Sequence, residues 1–182
     1  MNVSLHLVEC QHSGRPAWAQ NDAMMAAYMD NMDYYYRVND DTVMETTGWT
    51  EKFIDELERF NPPKVGVVGP WFREGNVVIL THDFVHRTHI DILGFYYPRV
   101  FTDWFADDWI TGVYWPERCR KVTTFVMLLA CTLPSHERAT LCIALSPSIV
   151  FDAIIKGHLK GLFCSMFPLT GAMLTYSAMH DE

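Results

Sequence analysis

Hydrophobic and polar positions along this chain change period several times, and each change marks a predicted element. Over residues 2–9 they alternate, with Val3, Leu5 and Leu7 on one side, which predicts a short strand. Ser13-Gly14-Arg15-Pro16 breaks that alternation. From 17 to 30 the chain is rich in Ala and Met, and Trp18, Met25 and Tyr28 recur near helical spacing, predicting a helix. The aromatic and β-branched run from Tyr34 to Val38 has strong strand preference and ends abruptly in Asn39-Asp40-Asp41. Thr50 is placed to cap a helix whose apolar face is Phe53, Ile54, Leu57 and Phe60, stopped by Asn61-Pro62-Pro63. Residues 65–68 predict another strand, closed by Gly69-Pro70, and 76–80 a further one. The latter runs through Thr81-His82-Asp83-Phe84-Val85-His86-Arg87-Thr88-His89 into a helical turn ending near Leu93, and Ala106–Tyr114 predicts a last short helix. Strands alternating with helices in this way imply an α/β layered domain.

From about Cys119 the texture changes. Residues 122–133 carry no charge, 141–155 are apolar apart from Asp152, and alternation and turn punctuation fade. The pattern therefore divides the chain into an ordered α/β region, 1–118, and an apolar C-terminal region, 119–182, whose fold it does not define. There is no internal repeat. No uncharged run reaches the length of a membrane-spanning helix; the nearest approach, 161–179, contains Pro168 and reads as a buried segment. Residues 1–10 lack the basic start of a signal peptide.

Composition narrows the class. With 182 residues, 49% hydrophobic and 20% charged, the chain can form a domain with a substantial core. A formal net charge of -8 leaves no basic footprint for nucleic acid. A phosphorylated ligand would have to be met by a metal or a local arginine cluster. The five cysteines are scattered with no CxxC pair, which argues against both a disulfide framework and a zinc finger.

The candidate chemistry lies where the Tyr34–Val38 run meets its acids. In open α/β sheets, ligands bind beyond the carboxyl ends of the strands. Carboxylates placed there repel a diphosphate unless a hard divalent cation bridges the two. An Asn-Asp-Asp after a strand is also a common turn with an Asx cap, so these residues alone leave both readings open.

The wider pattern resembles the family 2-like glycosyltransferases. In that family a helix bearing an Ala-Arg-Asn-type motif precedes an apolar strand that ends in an acidic DxD. This chain has Ala19-Gln20-Asn21-Asp22, then Tyr34-Tyr35-Tyr36-Arg37-Val38-Asn39-Asp40-Asp41, with Gln replacing Arg and Asn39 in the first DxD position. Val85-His86-Arg87, Gly94 and Ala106-Asp107-Asp108-Trp109 are similar to the family's later turn, glycine and acidic pair with a following aromatic. The resemblance spans roughly Pro16 to Arg118 and implies a GT-A fold, a Rossmann-type mixed sheet with helices on both faces. It implies Asp41 as direct metal ligand and Asp40 on the metal or the donor ribose, with Asn39 beside them. Asp108 falls at the catalytic base, Asp107 at its acidic neighbour, and Arg87 or Arg118 would neutralise phosphate. The implied reaction is inverting displacement at the anomeric carbon, with Mn²⁺ or Mg²⁺ stabilising the departing diphosphate. The implied partners are a nucleotide-diphospho-sugar donor and a glycan or protein acceptor. The implied location is the secretory pathway (ER or Golgi) or a membrane face.

The chain also departs from the family. The first strand–helix unit, which grips the nucleotide base, has no counterpart ahead of Pro16, so the domain is expected to be incomplete at its N-terminus. The histidine completing the metal shell has only His136 as a candidate. Two other classes stay open: a non-catalytic sugar or nucleotide binder, and a metal-dependent hydrolase built on His82, Asp83, His86 and His89. The histidines of the last set share one helical face only if that segment is helical throughout. Trp104, Phe105, Trp109, Tyr114 and Trp115 serve equally as core residues or as stacking surface for a sugar.

Overall fold

The computed structural model describes residues 4–9, 12, 14–39, 42–44, 46–72, 76–129, 140–145 and 172–177. Its elements in chain order are β1 (Ser4–Glu9), α1 (Pro16–Met29), β2 (Tyr34–Asn39), β3 (Thr42–Met44), α2 (Trp49–Glu58), β4 (Val67–Phe72), β5 (Phe84–His86), α3 (Thr88–Leu93), α4 (Ala106–Tyr114), β6 (Cys119–Leu129), β7 (Thr140–Leu145) and β8 (Ala172–Ser177). The strands form one open mixed sheet in the order β1-β8-β7-β2-β5-β4-β6-β3. β4 runs parallel to β6 and β7 to β8, and the other neighbours are antiparallel. The change of texture at Cys119 does not break the sheet, because β6 lies against β4 and β7 against β2.

The period-2 rule sorts β2 between two layers. Tyr34 and Tyr36 face α2, where Tyr36 packs 5.1 Å from Trp49 and 5.6 Å from Phe53, and Phe53 packs 5.3 Å from Phe84. Tyr35 belongs to the opposite core, with Ala23, Met24, Val67, Val85 and Ile110. α1 buries Ala17, Gln20, Asn21, Ala23, Met24 and Ala27, a face of small residues at helical spacing. Pro16 in its first turn costs no hydrogen bond, since those N–H groups have no partner within the helix. Helices thus cover both faces of the sheet, and the alternating pattern's α/β layered domain is present.

Three local expectations are corrected. Thr50 lies inside α2 rather than capping it; the residue ahead of the helix is Gly48, in the left-handed region at φ 68°. The strand expected over 65–68 does not close at Gly69-Pro70 but continues to Phe72, with a register shift against β6 between Pro70 and Trp71. Such an irregularity is how a strand accommodates a proline without its N–H. The strand expected over 76–80 is absent. Asn76 Oδ1 accepts the backbone N–H of Val78 at 2.8 Å and of Ile79 at 3.2 Å, folding an Asx turn that leaves Val77 and Val78 exposed. Only Leu80 from that apolar run reaches the core. No helix among the described residues is long and apolar enough to cross a membrane.

Candidate functional site

β2 carries a guanidinium, Arg37, into a strand that is otherwise apolar and aromatic, and Arg37 is buried. A buried charge must be paired and hydrogen-bonded to be tolerated. Its partner is Asp83, fully buried just ahead of β5, with Arg37 Nε donating to Asp83 Oδ2 at 2.9 Å. Tyr97 donates its hydroxyl to the same oxygen at 2.6 Å, and the Tyr96 hydroxyl donates to Oδ1. Burial works against the Arg37 charge, but Tyr97, Asp83 and Asp107 hold the guanidinium well above its ordinary value. One carboxylate therefore gathers a strand, a loop and the Tyr96-Tyr97 turn at a single point.

That turn is fixed from the other side by α1. Asn21 Oδ1 accepts the backbone N–H groups of Tyr96 at 3.0 Å and Tyr97 at 2.8 Å, and Asn21 Nδ2 donates to the Tyr97 carbonyl at 2.8 Å. The asparagine of the Ala19-Gln20-Asn21-Asp22 motif is thus a backbone clamp. The loop 80–83 is held equally firmly. Leu80 donates its N–H to Thr111 Oγ1 of α4 at 2.9 Å, and His82 Nε2 accepts the Asn39 N–H at 3.3 Å. Burial and the neighbouring Arg37 push the His82 ring well below its usual range, so it is neutral, with the proton on Nδ1.

α4 brings the acidic pair. Asp107 and Asp108 occupy its first turn, where the helix dipole favours carboxylates. Asp107 is half-buried toward Arg37 and Asp83, while Asp108 is exposed. Burial raises the Asp107 carboxyl; Arg37 opposes the shift, and Asp108 and Asp83 add to it. Asn39, His82, the Arg37–Asp83 pair and Asp107 accordingly lie at one end of the sheet, around the carboxyl end of β2. Asp40, Asp41 and His136 lie outside the described residues.

The arginines singled out in the sequence are elsewhere. β2 pairs antiparallel with β5, Tyr34 opposite His86, so Arg87 stands at the Tyr34 end of β2. A six-residue strand separates that end from Asn39 by roughly 17 Å. Arg87 lies over the Tyr28 ring at 4.8 Å. Arg118 precedes β6 at the same far end and donates from Nε and a terminal nitrogen to the Asn61 carbonyl. Neither is positioned to meet phosphate beside Asn39, because strand direction puts both at the opposite edge.

The histidines do not converge either, since His82 lies in a loop, His86 in β5 and His89 in α3. His89 Nε2 is 2.8 Å from the Tyr96 carbonyl and must therefore donate, which leaves Nδ1 to accept the Tyr114 hydroxyl at 2.9 Å. Both ring nitrogens are used as struts. Among the described residues no group of three or more His, Cys, Asp or Glu could hold a metal ion.

Burial lowers the pKa of His82, His86 and His89 below the ordinary 6.5. Between those folded values and 6.5 the unfolded chain binds more protons, so stability is complete above about pH 6.5 and falls as pH drops below it. Each histidine contributes at most about 1.4 kcal/mol per pH unit. Asp107, shifted upward, acts in the opposite sense: its contribution is present at low pH and lost as pH rises through its folded value. Urea denaturation at about pH 7.5 and 5.5 checks the sign, and lower stability at 5.5 is expected. Equal stability at both would show that these rings are hydrated.

Sequence reasoning missed Tyr96 and Tyr97 and the pairing of Arg37 with Asp83, which it had weighed only as part of a histidine-based metal set; the available signal was a charge embedded in the run Tyr34-Tyr35-Tyr36-Arg37-Val38. Comparison with protein-family models, with curated proteins and with solved structures finds no match.

Proposed function

We propose that the chain is a GT-A-like, metal-dependent glycosyltransferase domain acting on a nucleotide-diphospho-sugar. The observation that carries this reading is the convergence at one end of the sheet. Asn39, which leads directly into Asp40 and Asp41, is bonded to His82, and the neighbouring Arg37–Asp83 pair faces the acidic first turn of α4. A strand end leading into carboxylates, with a second acidic pair alongside, is what transfer from a diphosphate donor requires.

The donor chemistry fits a hard divalent cation. The candidate ligands Asp40 and Asp41 are oxygen donors of the kind Mg²⁺ and Mn²⁺ take. Asp83 is excluded as a ligand, because Arg37, Tyr96 and Tyr97 already occupy its oxygens. When bound, the ion supplies charge neutralisation to the departing diphosphate. Asp108, open to solvent on the first turn of α4, is the base that takes the acceptor's hydroxyl proton. Asp107 accepts the Asp108 backbone N–H, and Arg37 counters the charge of Asp107. Asn21 and the hydroxyls of Tyr96 and Tyr97 fix the turn that holds Asp83 beside Arg37.

The test is release of nucleoside diphosphate from UDP-glucose, UDP-N-acetylglucosamine, UDP-galactose and GDP-mannose with Mn²⁺. Turnover with at least one donor is expected. Asp108→Asn should reduce it by about 10²–10⁴-fold while sparing nucleotide binding. Loss of binding in Asp108→Asn would overturn its assignment as base. A folded chain that binds nucleotide but turns over none of these donors would instead be a non-catalytic binder.

A further inference from the structure

The aromatic residues between Phe95 and Trp109 divide into two sets. Phe95, Tyr97 and Phe101 pack around Trp109 at ring distances of 6.0–6.4 Å. Trp104 and Phe105 turn outward and are 79% and 66% exposed. Phe105 also has φ 72°, a conformation that is a genuine outlier for a bulky residue. Strain of this kind persists where the surrounding structure enforces it, and it gathers at functional sites. Here the enforcement is visible. The chain is tied to α1 by hydrogen bonds from Ala17 N to the Thr102 carbonyl at 3.2 Å and from Trp18 Nε1 to the Arg99 carbonyl at 3.0 Å, and the Phe105 carbonyl starts α4 by accepting the Trp109 N–H at 2.9 Å.

We propose that Trp104 and Phe105 form the acceptor subsite of the transferase reading above, and that the acceptor is a carbohydrate whose pyranose ring stacks on them. The two residues are consecutive and both expose their rings immediately ahead of α4. The exposed acids Asp103 and Asp108 flank them in the chain and are suited to accept hydroxyl hydrogen bonds. The same acids disfavour an anionic lipid surface or a phosphorylated ligand, as does the net charge of -8. Exposed Thr102 and Asp103 interrupt the patch, so it is too polar for an extended apolar protein contact. A neutral, polyhydroxylated ring satisfies both features, and the rings directly precede the turn of α4 that carries Asp108.

The experiment is ligand-observed NMR and tryptophan fluorescence with cellobiose, chitobiose, lactose and α-mannobiose on the full chain, alongside a UDP–Mn²⁺ titration of the same samples. At least one disaccharide is expected to bind, with Trp104→Ala and Phe105→Gly each weakening it about tenfold. Glycine adopts positive φ freely, so Phe105→Gly removes the ring and relieves the backbone. Its melting temperature should equal or exceed that of the parent chain, and the UDP–Mn²⁺ response should be unchanged. The proposal is overturned if none of the four sugars binds, or if both variants bind as the parent does. It is also overturned if Phe105→Gly melts markedly lower, or if the variants abolish self-association instead. Disaccharide binding that depends on Trp104 without any nucleotide response would keep the sugar site and sink the transferase reading.

Discussion

Asp83→Asn is expected to destabilise the fold by about 3–5 kcal/mol, the range for removing one partner of a buried ion pair. The substitution preserves shape. The amide oxygen can face Arg37 and Tyr97, and the amide nitrogen can donate to the Tyr96 hydroxyl, which rotates to accept. What is lost is charge, and Arg37 remains buried on β2 with its ion-pair partner gone and only the half-buried Asp107 to offset it. Tyr97→Phe, which removes one hydroxyl bond to the same carboxylate, should cost only about 0.5–1.5 kcal/mol. Adding Arg37→Met to Asp83→Asn should recover part of the loss, since it removes the stranded charge. Chemical denaturation of the four chains checks the set. A cost for Asp83→Asn no larger than that for Tyr97→Phe would mean the pair is solvated.

Gly69→Ala is the second large effect. A Cβ at this position would lie 2.3 Å from the His82 carbonyl oxygen and 2.8 Å from Leu80 Cδ2. The first obstacle is backbone, in a loop pinned by Thr111, Asn39 and Arg37, so it cannot yield without moving His82 and Asp83. Overpacking of this kind costs about 1–3 kcal/mol or more. Because the 80–83 loop is part of the proposed site, nucleotide binding should weaken along with stability. Gly112→Ala is the control: nothing lies within 4 Å of a Cβ there, and alanine favours the helix by up to about 1 kcal/mol. Equal melting temperatures for Gly69→Ala and the parent would show that the 80–83 loop does not bear on β4 as described.

Elements with a sustained period were legible from the chain. The apolar face spaced at Phe53, Leu57 and Phe60 is buried as expected, whereas α1 forms where a helix was expected but buries Ala17, Gln20, Asn21, Ala23, Met24 and Ala27 rather than Trp18, Met25 and Tyr28, and β2 is a strand buried on both faces. The 76–80 run misled because four apolar residues in a row carry no information about a side-chain oxygen that folds them into a turn. Gly69-Pro70 looked like punctuation, yet the glycine is there for the close passage of His82 and the strand continues beyond the proline. At the site, the acidic pair could be found from the sequence and its anchoring could not. Arg37 and Asp83 are 46 positions apart, and only the pairing of β2 with β5 makes them neighbours. The same pairing carries Arg87 away from Asn39, since an antiparallel neighbour reverses the direction in which the chain advances.

The measurement that bears most directly on the central claim is a thermal-shift titration with UDP and GDP, with and without Mn²⁺, on the parent chain and Asp41→Ala. A ligand that binds only the folded state stabilises it by RT ln(1 + [L]/Kd), about 2.7 kcal/mol at a hundredfold excess over Kd. A rise in melting temperature is expected with one of the two nucleotides, requiring Mn²⁺ and disappearing in Asp41→Ala. A rise that persists without metal or in the variant, or no rise in a demonstrably folded parent chain, would contradict the transferase reading.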